Sequence, residues 1–219
     1  MQAALPPAAA RVFYGVRNLL IDLRFGAPLL GVKRSGVPGQ AGVVNSDYSL
    51  YPHVFPRSLV RPGDVIVDVG VGKGRFVNWL LMLRLDNRII GIEYDGKTAA
   101  ATAHRLRRRA NVAIMHADAT RFLPPDGTLF FLFNPFEGEV MARFKQRAMM
   151  QFAGRSDVRF VYLRPLELAM FKNDGHWWVE EHEIPREALD ARYRDTPSHR
   201  RYAILVPRGV AGGSATVRA

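Results

Sequence analysis

The chain has 219 residues, 48% of them hydrophobic, and a formal net charge of +11. That length accommodates one domain of ordinary size with an appendage, and the absence of cysteine excludes disulfides and thiolate metal sites. The charge invites a nucleic-acid partner, yet only five of the 31 basic residues are lysines and 26 are arginines, a skew that a GC-rich genome would also produce.

In chain order, Val12, Val16, Leu19, Leu20 and Leu23 recur at helical spacing and predict a first helix over 11–25, closed by Gly26 and Pro28. Arg11, Arg17, Asp22 and Arg24 interrupt its apolar run, so it is neither a signal peptide nor a membrane span; a cytoplasmic protein with no membrane partner is the expectation. The Gly/Pro-rich stretch to Gly42, with Lys33 and Arg34, reads as an irregular cap. The segment from Asn45 to Pro52 mixes polar and aromatic groups, either folding over a ligand or forming a surface loop anchored by Tyr48 and Tyr51.

The most informative stretch is Asp64-Val-Ile-Val-Asp68-Val-Gly70-Val-Gly72-Lys-Gly74-Arg75. A Val/Ile run breaking into glycines and reopening as a helix predicts a buried strand, a tight turn and a helix N-terminus, a combination suited to a nucleotide-like ligand. A P-loop needs Gly, four residues, then Gly-Lys-Ser/Thr, and here Gly74 follows Gly72-Lys73. The dinucleotide fingerprint would need a third glycine where Arg75 stands. What remains is an acid two residues ahead of Gly-x-Gly-x-Gly, which resembles the first motif of class I S-adenosylmethionine-dependent methyltransferases. That resemblance implies S-adenosylmethionine as cofactor, with Asp68, Gly70, Gly72 and Gly74 in its binding loop. A carboxylate at the loop mouth suits a ligand bearing a sulfonium and an ammonium better than it suits a pyrophosphate.

A helix with Phe76, Val77, Leu80, Leu81 and Leu83 follows, then a strand Arg88–Glu93. Glu93 lies 19 residues beyond Gly74, where a strand-end acid accepts hydrogen bonds from ribose hydroxyls. A helix over 97–109 contains the run Arg105, Arg107, Arg108 and Arg109, read as a solvated face. The strand Val112–His116 ends at Asp118, which the resemblance assigns to the adenine amino group and which otherwise caps a turn before Thr120.

Pro124-Pro125-Asp126-Gly127 turns the chain into the strand Thr128–Phe133, which ends in Asn134-Pro135-Phe136. This resembles the Asn/Asp-Pro-Pro-Tyr/Phe motif of amino-methylating members of the family, where the Asn side chain orients the target amine and the aromatic ring packs on it. The single proline here shortens the turn; the wording Leu-Phe-Asn-Pro-Phe is similar to a largely uncharacterised bacterial group of these enzymes. The resemblance makes Asn134, Pro135 and Phe136 the catalytic candidates. The competing reading is that Asn-Pro simply stops a strand.

A helical stripe of Val140, Met141, Phe144, Ala148 and Phe152 reads as core, Asp157–Leu163 as a fifth strand, and Trp177–Val179 with Tyr202–Val206 as a closing pair. The six histidines lack metal-site spacing and no Gly-x-Ser-x-Gly elbow is present, so metal and hydrolase chemistry are not expected.

The alternation predicts a doubly wound α/β sheet, and the resemblance implies a seven-stranded Rossmann-like methyltransferase sheet with its last pair antiparallel. The expected organisation is a helical, loop-rich N-terminal cap over 1–50, a methyltransferase domain over 51–208 and a flexible tail over 209–219. The expected activity is methylation of a nitrogen, or an oxygen, of a small or medium-sized acceptor. An RNA or protein acceptor is the alternative, nucleic acid being possible from the charge but not favoured. A nicotinamide dinucleotide oxidoreductase and a non-catalytic nucleic-acid-binding module are the readings from other classes.

Overall fold

The computed structural model describes residues 7–31, 38–39, 42, 46–189, 193 and 196–209. Lys33, Arg34, Asn45 and the tail beyond Gly209 lie outside the described residues.

Helix α1 (Pro7–Arg24) and a short helix α2 (Tyr51–Val54) precede the sheet. Then follow β1 (Ile66–Val69), α3 (Arg75–Met82), β2 (Ile89–Glu93), α4 (Gly96–Leu106), β3 (Val112–His116), β4 (Leu129–Phe133), α5 (Gly138–Phe152), β5 (Arg159–Leu163), a short α6 (Ala169–Lys172), β6 (Trp177–Glu183) and β7 (Arg201–Pro207). The seven strands lie in the order β3-β2-β1-β4-β5-β7-β6. The first five run parallel, and β7 pairs antiparallel with both β5 and β6. The order reverses between β1 and β4, and ligands of open α/β sheets bind at the strand ends beside such a switch point.

Both faces of the central strands are buried, which is why they read as continuous apolar runs. The period of two sorts their side chains: Val67, Val69, Phe130 and Leu132 face a core shared with Met141, Phe144 and Phe152 of α5. Ile66, Leu129 and Phe131 face the core shared with Tyr51, Phe55, Phe76, Val77 and Leu80. Asp64 ends just short of β1 and is bolted to the sheet, accepting hydrogen bonds from the Arg159 guanidinium at 2.8 Å and the Thr128 hydroxyl at 2.8 Å.

One expectation changes. Helix α4 stops at Leu106, so Arg107, Arg108 and Arg109 follow its end, and Arg105 is not a solvated face residue. Its guanidinium donates to the carbonyls of Phe25 (2.9 Å) and Lys73 (2.7 Å) and to Asn78 Oδ1 (2.9 Å). The paired tryptophans divide, Trp177 packing in the core and Trp178 remaining exposed. No helix among the described residues is long and apolar enough to cross a membrane.

Candidate active site

A cavity of about 350 Å3 opens at the C-terminal ends of the parallel strands, lined among others by Asp68, Glu93, Asp118, Asn134, Arg164 and His199. Its floor is the glycine turn between β1 and α3. Gly70, Gly72 and Gly74 all hold positive φ (79°, 51° and 81°), a region costly for residues with a Cβ. At Gly74 a Cβ would also lie 2.8 Å from the Arg105 guanidinium.

The amides of this turn are largely spent on the protein itself. Gly70 and Val71 N–H both donate to the Ile92 carbonyl at 2.9 Å, and Gly74 N–H donates to Val71 O at 2.8 Å. Gly72 N–H donates to Glu93 Oε2 at 2.8 Å. A phosphate cradle works by presenting free amides; this turn instead presents carboxylates. Asp68 is buried, and its carboxyl group makes no hydrogen bond or ion pair among the described residues. Burial first, and the nearby Glu93 charge second, push its carboxyl well above the usual carboxylate range. A partnerless buried acid facing a cavity is a socket for a cationic or hydrogen-bond-donating group.

Glu93 accepts from Gly72 N–H through one oxygen and from Asp95 N–H (2.9 Å) through the other, so it shapes the loop while each oxygen keeps a lone pair for a ligand. Asp118 accepts from the Thr120 amide (2.9 Å) and hydroxyl (2.7 Å) through Oδ1, the turn-capping arrangement. Among the described residues its Oδ2 has only a 3.7 Å ion pair with Arg121.

Past the switch point, Asn134 ends β4 in a left-handed conformation (φ 41°), which Asn tolerates better than most residues. It is buried, and its Oδ1 accepts from the Tyr162 hydroxyl at 2.9 Å. Burial raises the Tyr162 pKa, keeping that hydroxyl protonated as a donor. Pro135 packs against the turn, lying 3.4 Å from where a Gly70 Cβ would sit. The Phe136 ring lines the cavity yet is mostly committed to the core, 5.4 Å from the Phe144 ring. All nine residues singled out in the sequence therefore border one cavity.

The sequence reading missed three groups. Arg164, at the end of β5, has φ 53° and a buried Nε without a hydrogen-bond partner among the described residues. His199 lies just upstream of β7, which starts where β5 ends, and its buried Nδ1 also lacks a partner among the described residues. Burial and the charge of Arg164 lower its pKa. The third group is a polar staple. Arg75 donates to Asp22 through Nη2 at 2.6 Å and Nε at 3.1 Å, and to Ser46 O at 2.9 Å. Tyr48 Oη donates to Asp22 (2.8 Å) and accepts from Asn78 Nδ2 (2.9 Å). Asn18 and Arg17 hold Asp47 at 2.7 and 3.1 Å. The arginine that breaks the dinucleotide fingerprint thus ties α1 to the end of the glycine turn. The only signals in the sequence were an acid within an apolar helix and an arginine in a glycine's place, 53 residues apart.

No family model matches the chain. Over 103 residues it is 35% identical to the ribosomal RNA small subunit methyltransferase A of Streptomyces avermitilis, a match covering 45% of this chain and 34% of that protein. The matching region thus spans about a third of that relative's length. Among solved structures it resembles the 23S rRNA methyltransferase ErmE (TM-score 0.51, 15% identity, 74% of this chain and 69% of that one). It also resembles a dimethyladenosine transferase from Plasmodium falciparum (TM-score 0.51, 12% identity, 75% and 63%). The seven-stranded order, the glycine turn at the β1 end and these likenesses agree: the chain has the Rossmann-like fold of class I S-adenosylmethionine-dependent methyltransferases.

Proposed function

We propose that the protein is an S-adenosylmethionine-dependent methyltransferase whose acceptor is a nitrogen of RNA. The observation that carries the first half is the Asp68 carboxyl group, without a partner among the described residues, beside Glu93 and a turn most of whose amides are already used. The residues fit this cofactor: Asp68 suits its ammonium, Glu93 its ribose hydroxyls, and Asp118 Oδ2 its adenine amine, while the glycines admit its close approach. The cofactor brings an electrophilic methyl group on a good leaving group.

The chain's part is to bind, orient and exclude water. Asn134, held by Tyr162, directs the acceptor nitrogen; correct placement alone supplies several kcal/mol of barrier lowering. His199, with its lowered pKa, is neutral at neutral pH and available to take the proton that the methylated nitrogen releases. RNA replaces the small acceptor favoured on sequence grounds for two reasons. The relatives' names specify ribosomal RNA, and Arg164 sets a cation on the acceptor side of the cavity, where a backbone phosphate would be welcome.

The test is to incubate the protein with methyl-labelled S-adenosylmethionine and, separately, deproteinised ribosomal RNA, RNA-free protein lysate and a small-molecule extract. Label is expected in RNA on a base nitrogen. Label confined to small molecules overturns the acceptor, and failure of S-adenosylhomocysteine to bind in calorimetry overturns the activity itself.

A further inference from the structure

Helix α1 is mounted inside out. Asn18 and Asp22, the residues that pin it, are buried, whereas Val12, Phe13, Val16, Leu20 and Leu23 are each at least half exposed. At 100° per residue the exposed side chains fall on one face directly opposite Asn18 and Asp22. Because Asp22 is locked to Arg75 and Tyr48, the helix cannot roll to hide this face. A contiguous apolar stripe held outward marks a contact with something apolar.

The charge beside it says what. Between Pro7 and Ser46 the sequence has one acid, the buried Asp22, and between Gly96 and Ala117 it has none. Arg24 ends α1, Lys97 lies on α4 and Arg107, Arg108 and Arg109 follow its end, and all five are exposed. Arg24 lines one cleft with Lys97, Arg107, Arg108 and Arg109, and the Arg109 guanidinium sits 5.7 Å from the ring of Phe25 just after α1, so the basic cluster lies beside the C-terminal end of the apolar stripe. We infer that α1 docks the protein peripherally on an anionic phospholipid bilayer, the stripe entering the acyl boundary and the cluster meeting the headgroups. An apolar helix face flanked by basic residues is how interfacial helices bind, and no membrane span is required. A second copy is the poorer occupant, since a two-fold contact through α1 would bring the basic clusters together. RNA is poorer still, since phosphates give the aliphatic stripe nothing to bury against.

The test is co-sedimentation with vesicles of phosphatidylcholine alone or of equal parts phosphatidylcholine and phosphatidylglycerol. The wild-type chain is expected to partition onto the anionic vesicles and not the neutral ones. Val16→Ser/Leu20→Ser should lower that partitioning about tenfold or more, and Arg107→Ala/Arg108→Ala about tenfold. Circular dichroism and S-adenosylhomocysteine binding report on folding, and Phe13→Ala, loss of one exposed ring, supplies a milder variant with a smaller decrease in the same direction. No vesicle binding, or binding equal in wild type and all α1 variants, overturns the proposal. So does a wild-type dimer in sedimentation velocity that Val16→Ser/Leu20→Ser converts to monomer, or a loss of RNA binding rather than vesicle binding in that variant. Vesicle binding does not require methyl transfer, so the two readings stand or fall separately.

Discussion

Replacing Asp68 by Asn should move affinity and stability in opposite directions. In the folded chain the carboxyl is buried near Glu93 with no cation beside it, and its pKa is raised. A raised folded pKa means that the stability linked to this group is complete below its unfolded pKa and is lost as pH rises through the folded one. At neutral and alkaline pH the ligand-free protein therefore carries a penalty that Asp68→Asn removes, and the variant should unfold at equal or higher urea. Ligand binding reverses the sign. An ammonium donating to the carboxylate favours its ionised form, so binding expels a proton and wild-type affinity should rise with pH across the same window. Loss of one charge-assisted hydrogen bond costs about 1.5–3 kcal/mol, or a dissociation constant raised roughly 10- to 150-fold. Calorimetry with S-adenosylhomocysteine in buffers of different ionisation enthalpy measures both the affinity and the proton released. Unchanged affinity in Asp68→Asn, with no proton release in wild type, would refute the assignment. A variant that loses stability and keeps its affinity would show the acid to be structural.

Three further outcomes are expected. Asp22→Ala strands the Arg75 guanidinium, whose side chain is 10% exposed. It should cost about 3 kcal/mol in urea unfolding, the low end for a broken buried pair because Ser46 O still accepts from Arg75; a change below about 0.5 kcal/mol would deny the staple its role. Asn134→Ala should leave S-adenosylhomocysteine affinity within about twofold and lower kcat about 100-fold, as expected for lost orientation; a matching loss of affinity would place Asn134 on the cofactor instead. Arg164→Met should raise KM for RNA and flatten its salt dependence by about one phosphate contact, with kcat little changed. An unchanged salt slope would remove Arg164 from the acceptor path.

The sheet was legible because its strands are apolar on both faces and punctuated by glycine and proline, so their bounds fell within two residues of the structure at Ile89–Glu93, Val112–His116, Leu129–Phe133 and Arg159–Leu163. The candidate residues around the glycine turn were legible because they lie at or just beyond the ends of parallel strands, and parallel strands bring their C-termini to one edge. His199 was not, since the antiparallel β7 returns its own N-terminal end to that edge and only pairing reveals it; Arg164 does end the parallel β5, but no motif around it singled it out. The orientation of α1 was illegible for a different reason. Periodicity locates an apolar face but not the direction it points, and here a buried acid with a partner 53 residues away decided it.

The staple also ties the glycine turn to a part of the chain outside the sheet. Its closures join Asp22 of α1 to Arg75, and the Lys73 ammonium meets the carbonyls of Leu30 and Gly31 beyond that helix, across 53 and more than 40 residues, from a segment that contributes no strand. The sheet can reach its register without them. Amides around Lys73 should accordingly exchange with deuterium whenever α1 lifts, far more often than those of Val67 or Phe130, which wait for global opening. By reciprocity, whatever stiffens the turn must also slow the lifting of α1. A ligand in the cavity and a helix on the opposite side of Arg75 would then report on one another through exchange rates alone.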